Sequence, residues 1–253
     1  MFRVVIPARF DSARLPGKVL LSIADRPMLH WVCERARAAG AVQVVVATDD
    51  ERIRAAALHA GVESVMTASS HVSGTDRIAE AAALLGWPPT DIIVNLQADE
   101  PLMPPALIGQ VVRLLQTHAD ADIATLAAPI TSLAEFLDPN AVKVVLAQEG
   151  RALFFSRAPI PWDRDGAIAD AAGPESFQGA LRHIGLYAYR VQSLIRLSQL
   201  PPATLELREK LEQLRALAHG MHIRVAIAAV RPGVDVNTPA DLDRIRMLLE
   251  GNS

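Results

Sequence analysis

The chain has 253 residues, 51% hydrophobic and 21% charged, so it can bury a sizeable core in one large domain or two small ones. Its formal net charge of −3 gives no support for extensive nucleic-acid binding and confines any anion site to a local group of basic residues. Cys33 is the only cysteine, which excludes an internal disulfide. We expect a cytoplasmic protein, because the sequence shows no signal-peptide pattern and no apolar run of membrane-spanning length.

Short apolar runs alternate with helical patterns through the first half of the chain. The predicted strands are Val4–Ile6, Val42–Ala47, Ser64–Met66, Ile92–Leu96 and Ile123–Ala127. The predicted helices between them are Met28–Ala39, Glu51–His59, Thr75–Leu85 and Pro105–His118. Strands rich in Val and Ile without strict alternation are typical of a parallel sheet covered on both faces. The pattern therefore predicts an α/β fold with a doubly wound, mostly parallel sheet.

The second half of the chain is less regular. Its predicted strands are Val142–Leu146, Ala152–Phe155, His183–Tyr189 and Ile223–Ala228, and its predicted helices are Leu205–His219 and Pro239–Leu249. On the first of these helices, Glu206 and Lys210 are predicted to pair on a solvent-exposed face. Residues 163–179 are small, polar and acidic, which predicts an exposed flexible loop.

A basic loop follows the first strand and carries Arg9, Arg14 and Lys18, with Gly17 just before the lysine. It does not match the P-loop pattern, so a grip on phosphate would depend on side-chain charge, with glycine allowing close backbone approach. Ligands of open α/β sheets bind at the carboxyl ends of the strands, which is where this loop lies. We therefore favour a polyphosphate site over the alternative, an ordinary solvated basic loop.

Two acidic residues follow the predicted strand Ile92–Leu96. Asp99 and Glu100 are placed at the carboxyl edge of the sheet, where a carboxylate can hold Mg²⁺ that also touches substrate phosphates. The alternative is a polar turn before Pro101.

Residues 73–77 read Ser-Gly-Thr-Asp-Arg at the start of a predicted helix. Ser73 or Thr75 can cap that helix, and this alone explains the small residues. Arg77 is different, because a cation in the first turn opposes the helix dipole. An anion or a base edge close to Arg77 would remove this penalty.

Together these segments resemble the cytidylyltransferases that activate acidic sugars, and within that family the enzymes for 3-deoxy-manno-octulosonate (KDO). The resemblance runs in order over nearly the whole chain and is carried by IPARFDSARLPGK (6–18), SGTDR (73–77), VNLQADEP (94–101), PNAVKVV (139–145), FFSRAPIPWDRD (154–165), RHIGLYAYR (182–190), LEQLR (211–215) and NTPADL (237–242). It implies a nucleotidyltransferase, Rossmann-like fold and the transfer of CMP from CTP to KDO, with Mg²⁺ as cofactor and pyrophosphate as leaving group.

For the nucleotide, the resemblance implies that Arg9, Arg14 and Lys18 hold the triphosphate and stabilise charge on the departing pyrophosphate. Arg77 would lie near the nucleotide, and Asp99 would bind the metal. The catalytic set is thus expected to comprise Arg9, Lys18, Asp99 and an acidic residue near the C-terminus, Asp235.

For the sugar, the resemblance implies a pocket built from residues of both halves, namely Gln97, Arg157, Arg164, His183, Tyr187, Glu212 and Gln213. Without it, His183 and Tyr187 are ordinary strand residues that share one face at i and i+4. A packing role for the stems of Arg157 and Arg164 is equally compatible with the sequence, and Glu212 could lie on a solvated helix face.

The sequence departs from the family pattern at two places. Ala98 stands where the family has glycine, so its φ should be negative. The C-terminal metal segment can be aligned in two ways, which put either Asp235 or Asn237 at the position of the second metal ligand. We favour Asp235 for its charge; the alternative for Asn237 is a cap of the last helix.

The resemblance further implies one domain over residues 1–253, with a nucleotide-binding part (about 1–130), a sugar-binding and dimerisation part (about 131–230) and a metal segment with a closing helix (231–253). A homodimer, no nucleic-acid or membrane partner and a place in lipopolysaccharide biosynthesis are expected. An enzyme for 8-amino-KDO or another acidic sugar is the alternative within the family.

Two other classes of protein fit less well. A non-catalytic nucleotide sensor would keep the basic loop, but it would not need Asp99 together with Asp235. A dinucleotide-binding oxidoreductase is disfavoured because no G-x-G-x-x-G follows the first strand.

Overall fold

The computed structural model describes residues 1–11, 15–71, 73–164 and 179–250, with side chains up to residue 249. Its strands are β1 Phe2–Ala8, β2 Ser22–Ile23, β3 Arg26–Pro27, β4 Gln43–Thr48, β5 Glu63–Met66, β6 Ile92–Asn95, β7 Ile123–Pro129, β8 Lys143–Leu146, β9 Ala152–Ser156, β10 Leu181–Arg190 and β11 Ile223–Ile227. Its helices are α1 Met28–Ala38, α2 Glu51–His59, α3 Gly74–Leu84, α4 Pro105–Thr117, α5 Leu133–Leu137, α6 Val191–Gln199, α7 Thr204–Glu209, α8 Gln213–Ala218 and α9 Pro239–Glu250. No helix of this described part is long and apolar enough to span a membrane.

One sheet carries the fold, with strands in the order β11-β7-β10-β6-β1-β4-β5. β1 pairs in parallel with both β4 and β6, as do β4 with β5 and β7 with β11. β10 runs antiparallel between β6 and β7, and β8 and β9 extend the sheet from β10 as an antiparallel ribbon. The predicted α/β fold with a mostly parallel sheet is confirmed. Residues 1–130 and 131–230 both contribute strands to this one sheet.

Successive residues of β1 pack into two separate hydrophobic cores, one on each face of the sheet. Val4 and Ile6 pack with α1, α2 and α4 on one face, whereas Val5 packs with α3, α6 and α8 on the other. All three are fully buried, as expected for a strand whose side chains alternate between two covered faces. This double burial holds the carboxyl end of β1 rigidly where the basic loop begins.

The predicted helix Leu205–His219 is wrong, because the structure has two short helices, α7 and α8, in its place. Lys210 ends α7 with a left-handed φ of 55°, which breaks the helical path. Glu206 is consequently not paired with Lys210 on an exposed face. It is buried and accepts two hydrogen bonds from Arg215 of α8, at 2.9 and 2.5 Å. A buried ion pair, rather than helix propensity, joins the two pieces.

The C-terminal segment returns to the start of the chain. A small core formed by Ile23, Met28, Val236, Leu242 and Ile245 packs α9 against the β2–β3 hairpin. The backbone N–H of Val236 donates to the carbonyl of Asp99 at 2.9 Å. The segment thereby reaches the carboxyl edge of the sheet.

Candidate active site

A cavity of about 340 Å³ opens at the carboxyl ends of β1 and β6, next to the N-terminus of α3. It is lined by Pro7, Ala8, Arg9, Lys18, Val19, His71, Ser73, Gly74, Arg77, Gln97, Ala98, Asp99 and Asn237. We call it the first cavity. The predicted nucleotide residues Arg9, Lys18, Arg77 and Asp99 meet there; Arg14 lies outside the described residues.

The conformation of the basic loop depends on Gly17. Its φ of +66° lies in the left-handed region, and a Cβ at this position would come 2.8 Å from Phe10 Cε2. Its N–H donates to the Phe10 carbonyl at 2.9 Å, which closes the loop. The turn presents Lys18 to the first cavity with its side chain 15% exposed, while Arg9 stays exposed at the rim.

Lys18 joins three parts of the chain. Its Nζ donates to Asp99 Oδ2 at 2.5 Å and to the carbonyl of Val236 at 3.1 Å. The ammonium group thus balances the carboxylate after β6 and fixes the C-terminal segment beside it. Both side chains of the Lys18–Asp99 pair are partly shielded from water, so their electrostatic interactions with other groups in the cavity are stronger than in bulk water.

Three acidic side chains, those of Asp99, Glu100 and Asp235, lie close together at this edge of the sheet. Burial raises the pKa of Glu100 to about 8, and the nearby charges of Asp99 and Asp235 raise it in the same direction. The predicted negative φ at Ala98 agrees with the structure, because Ala98 is not among the residues with positive φ. Because the carboxyl groups of Asp99, Glu100 and Asp235 lie close together, a cation bound at this edge of the sheet would be stabilised by them.

The structure distinguishes the positions of the two candidate metal ligands at the C-terminus. Asn237 lines the first cavity, whereas Asp235 is exposed and accepts a hydrogen bond from the Asn237 side-chain amide. The cap of α9 is made by Thr238, whose hydroxyl accepts from the Asp241 N–H at 3.3 Å. The side chain of Asn237 is therefore not needed as that cap.

The donor set fits Mg²⁺ in part. Asp99, Asn237 and Asp235 offer the carboxylate and amide oxygens that this ion prefers. Within the described ranges no group of three or more His, Cys, Asp or Glu side chains could hold a metal by itself. This is compatible with Mg²⁺, which usually takes one or two carboxylates and completes its shell with water and substrate phosphates.

The guanidinium group of Arg77 is paired with a carboxylate of the protein itself, that of Asp49. It is 4% exposed, and its guanidinium donates to Thr67 Oγ1 at 2.6 Å and to Asp49 Oδ2 at 3.0 Å. Asp49 follows β4 and Thr67 follows β5, so Arg77 ties α3 to the ends of two strands. It lines the first cavity while both of these contacts are in place.

A second cavity of about 150 Å³ adjoins the first and shares Gly74 and Gln97 with it. It is lined by Gly74, Thr75, Asn95, Gln97, Ile123, Tyr187, Tyr189, Leu197, Glu212 and Gln213. Four of the predicted sugar residues, Gln97, Tyr187, Glu212 and Gln213, are thus brought together.

Glu212 is the charged side chain of the second cavity. Its Oε2 accepts from the Thr75 hydroxyl at 2.8 Å, and its buried Oε1 has no hydrogen-bond partner among the described residues. Burial raises the pKa of Glu212, against the opposing hydrogen bond from Thr75. An unpaired buried carboxylate oxygen costs stability and is well suited to a hydroxyl of a bound ligand.

A row of aromatic rings lies beside this cavity on β10. The ring centroids of His183 and Tyr187 are 5.2 Å apart and those of Tyr187 and Tyr189 are 5.8 Å apart. The two predicted residues of one face are therefore neighbours, although β10 has a bulge between Ile184 and Tyr187. Burial raises the pKa of both tyrosines, so each hydroxyl stays protonated and can donate.

The hydrogen bonds of His183 identify its tautomer. The Thr125 hydroxyl donates to the carbonyls of Ile184 and Leu186, at 3.0 and 2.8 Å. It must therefore accept from His183 Nε2, 3.0 Å away, which places the ring proton on Nε2. Burial lowers the pKa of His183 to about 3, so the ring is neutral at physiological pH.

The two predicted sugar arginines are not among the residues that line either cavity. Arg157 donates through Nε to the carbonyl of Glu209 at 2.7 Å and through Nη1 to that of Pro139 at 2.8 Å. Arg164 is exposed at the end of a described segment. The contacts of Arg157 match the packing alternative, and its role towards a sugar stays a prediction.

Among the lining residues with polar side chains, sequence reasoning missed His71, Asn95 and Tyr189. Asn95 and Tyr189 lie two residues before Gln97 and two after Tyr187, so the period of a strand could have indicated them. His71 precedes the Ser-Gly-Thr-Asp-Arg segment by two residues and has no local signal of its own.

Comparison with known proteins supplies the family. The cytidylyltransferase family model matches residues 3–223. The chain is 52% identical over 250 residues to the 3-deoxy-manno-octulosonate cytidylyltransferase of Nitrosococcus oceani, covering 98% of this chain and 96% of that one. It is 50% identical over 248 residues to the enzyme of the same name from Thioalkalivibrio sulfidiphilus, covering 98% of both chains.

Solved structures agree with this assignment. A CMP:2-keto-3-deoxy-manno-octonic acid synthetase, solved in complex with CTP, superposes with a TM-score of 0.89 at 40% identity and full coverage of both chains. A cytidylyltransferase from Leptospira borgpetersenii shares the fold, with a TM-score of 0.61 at 16% identity, covering 98% of this chain and 86% of that one. The chain therefore belongs to the cytidylyltransferase family, among the 3-deoxy-manno-octulosonate cytidylyltransferases.

Proposed function

We propose that this protein transfers CMP from CTP to the anomeric hydroxyl of KDO, giving CMP-KDO and pyrophosphate. The observation that carries the proposal is the junction of two unlike cavities at Gly74 and Gln97. One cavity presents the cations Arg9 and Lys18 and the carboxylate of Asp99, as a nucleoside triphosphate with Mg²⁺ would require. The other presents hydroxyl, amide and carboxyl groups, as a polyhydroxylated sugar requires. The names of the relatives agree with both substrates.

The first cavity would hold the triphosphate through Arg9 and Lys18, with Arg14 as a further basic residue of the same loop. Lys18 is already oriented by Asp99 and Val236, so little reorganisation is needed when the charge moves onto the leaving pyrophosphate. Asp99, with Asn237 or Asp235, would hold Mg²⁺. When bound, this ion supplies positive charge beside the phosphate oxygens.

In the second cavity, the residues fix the orientation of the sugar. None of its described lining residues is basic, and Glu212 is acidic. The carboxylate of KDO is therefore expected to point towards the cations of the first cavity, with the sugar hydroxyls towards Glu212, Gln213 and Tyr187. Since KDO is a 2-keto acid, its anomeric carbon carries the carboxylate, and this orientation brings the anomeric hydroxyl to the junction. Attack on the α-phosphorus then needs no covalent protein intermediate.

The test is an assay of pyrophosphate release by the purified protein with CTP, KDO and Mg²⁺, with mass spectrometry of the product. We expect CMP-KDO and pyrophosphate in equal amounts, and no turnover when the metal is chelated. Failure to release pyrophosphate with KDO, together with release with another acidic sugar, would disprove the substrate assignment.

The alternative substrate, 8-amino-KDO, is compared in the same assay. The names of the relatives favour KDO. We expect kcat/KM to be higher for KDO. The opposite order would assign the amino sugar instead.

The remaining expectations from the sequence belong to the same proposal. A homodimer formed through residues of about 131–230, a cytoplasmic location and a role in supplying activated KDO for lipopolysaccharide are expected of this activity. Size-exclusion chromatography with light scattering tests the dimer, for which a mass near twice 27.2 kDa is expected.

A further inference from the structure

One hydrogen-bonded pair at the first cavity, His71 and Glu80, has no role in the proposed reaction. His71 lines the cavity, and its Nε2 lies within hydrogen-bond distance of Glu80 Oε2 on α3. The same oxygen accepts from the Ala68 N–H at 2.9 Å, so the carboxylate is fixed on both sides. Burial opposes ionisation of Glu80, but the hydrogen bonds from Ala68 and His71 outweigh it and lower its pKa. Glu80 is thus an ionised acceptor behind the ring of His71.

The pair lies at the end of the cavity away from the phosphate groups. Lys18 and Asp99 mark the phosphate end, after β1 and β6, whereas His71 follows β5. His71 and Ala68, the second residue after β5, both bond the same oxygen of Glu80, so His71 lies near the end of β5, which the order β6-β1-β4-β5 places on the far side of β1 from β6. The second cavity meets the first at Gly74 and Gln97. A triphosphate held at Lys18 with its α-phosphorus at that junction therefore directs the base towards His71.

The hydrogen bond to Glu80 determines which ring nitrogen of His71 is available. A carboxylate is an acceptor only, so Nε2 carries the proton and Nδ1 of the neutral ring keeps its lone pair. Cytosine presents a 4-amino donor where uracil presents a carbonyl oxygen. We propose that His71 selects the base of the nucleotide by accepting a hydrogen bond through Nδ1 from this amino group, while Glu80 acts as its positioning residue.

This inference rests on the proposed use of CTP, but it can be tested without turnover. Binding of CTP and of UTP is measured by calorimetry in the absence of KDO, for the wild type and for His71→Phe. The phenyl ring keeps the shape and loses the acceptor, so we expect about tenfold weaker CTP binding, corresponding to one hydrogen bond, and unchanged UTP binding. His71→Asn, whose side-chain oxygen can take the place of Nδ1, is expected to restore part of the preference.

Glu80→Gln separates the geometric role of Glu80 from its charge. Glutamine keeps an acceptor oxygen for Nε2 and Ala68, so we expect CTP binding within about threefold of the wild type, whereas Glu80→Ala weakens it as much as His71→Phe does. His30 offers a matched control, because its Nε2 lies 3.2 Å from Glu34 Oε1 on α1 and does not line the cavity. His30→Phe is expected to leave both nucleotides unaffected.

Two results would overturn the inference. One is a ratio of CTP to UTP affinity that does not change in His71→Phe while circular dichroism shows a folded protein. The other is equal weakening of inorganic tripolyphosphate and CTP, which would make His71 a phosphate contact. A wild type that binds CTP in preference to UTP but makes no CMP-KDO would leave base selection standing and remove the proposed function.

Discussion

The two adjoining cavities are built on opposite principles. The first uses charge: Arg9 at the rim, and Lys18 in contact with Asp99. The second relies mainly on burial and neutral hydrogen-bonding groups, since burial holds Tyr187 and Tyr189 in their protonated forms. Charge attracts a polyanion from a distance and stabilises a leaving group, whereas buried neutral groups discriminate between hydroxyl patterns by direction.

The largest effect is expected for Lys18→Ala. Loss of the ammonium group removes a fixed cation from the side of the leaving pyrophosphate, so we expect kcat to fall by about 10²–10³, as for loss of one preorganised electrostatic group. KDO affinity should change less than kcat, because the sugar hydroxyls are expected to bind in the second cavity, which Lys18 does not line, and only the KDO carboxylate would face the first cavity. Single-turnover kinetics and sugar titration separate the two quantities.

Arg54→Ala is the control for Lys18→Ala, since Arg54 is an exposed cation on α2 that lines neither cavity. Its kinetics should match the wild type. An equal loss of sugar affinity and of rate in Lys18→Ala would show that the two cavities are not separated as described.

The next effect is expected for Gly233→Ala. A Cβ at residue 233 would lie 2.3 Å from the Leu102 carbonyl, so the C-terminal segment must move away from the loop after β6. We expect a loss of about 1–3 kcal/mol in the free energy of unfolding and weaker Mg²⁺-dependent CTP binding, because Asn237 moves with the segment. Urea denaturation and nucleotide titration measure both.

Gly109→Ala is the matched control. A Cβ there meets only the flexible end of Arg113, at 3.1 Å, within α4. Alanine is the better helix former, so stability should be retained or rise by up to about 1 kcal/mol. Unchanged nucleotide binding in Gly233→Ala would contradict the placement of the C-terminal segment at the first cavity.

Glu212→Gln tests the second cavity with a smaller effect. Glutamine keeps the size of the side chain, so we expect about tenfold weaker KDO binding and unchanged CTP binding. The pKa of Glu212 is raised in the folded protein, so the wild type loses stability as pH rises above the ordinary value of 4.5. In Glu212→Gln the free energy of unfolding should not fall in this way. Urea denaturation of both proteins at pH 5 and pH 8 measures the difference. Identical pH dependence in both proteins would refute the assigned burial of the carboxyl group.

The smallest effect concerns His183. Its pKa is about 3 in the folded protein against an ordinary 6.5, so the unfolded chain binds more protons between these values. Stability therefore falls as pH decreases below 6.5. His183→Gln can keep the donor to Thr125 and should flatten this part of the profile. The assigned imidazole signal of His183 should not titrate between pH 5 and 8; a titrating signal would contradict its burial.

Much of the first cavity could be predicted from the sequence, because many of its lining residues follow directly after the strands that position them. The strand Val4–Ile6 and the basic loop are contiguous, and the same holds for Ile92–Leu96 and Asp99. Residues whose position depends on tertiary contacts were harder. The break at Lys210 depends on the Glu206–Arg215 ion pair, which no helix periodicity reveals.

The preference for Asp235 illustrates the same limit. Charge favoured it in the sequence, but in the structure Asn237 lines the first cavity, whereas Asp235 is exposed and accepts a hydrogen bond from the Asn237 amide. Which residue binds metal stays a prediction, which anomalous scattering from Mn²⁺ can decide. His71 had no signal at all, because its partner Glu80 lies nine residues further along the chain.

The contact between Lys18 and the carbonyl of Val236 joins residues 218 positions apart. During synthesis, the basic loop is therefore complete long before the segment that fixes its lysine leaves the ribosome. Contacts of this sequence separation form late in folding, because the entropy of closing a long loop must first be overcome. In a nascent or C-terminally truncated chain, the sheet can be intact while Lys18 still lacks its contact with Val236. We therefore expect the first cavity to become fully organised only when α9 packs against the β2–β3 hairpin.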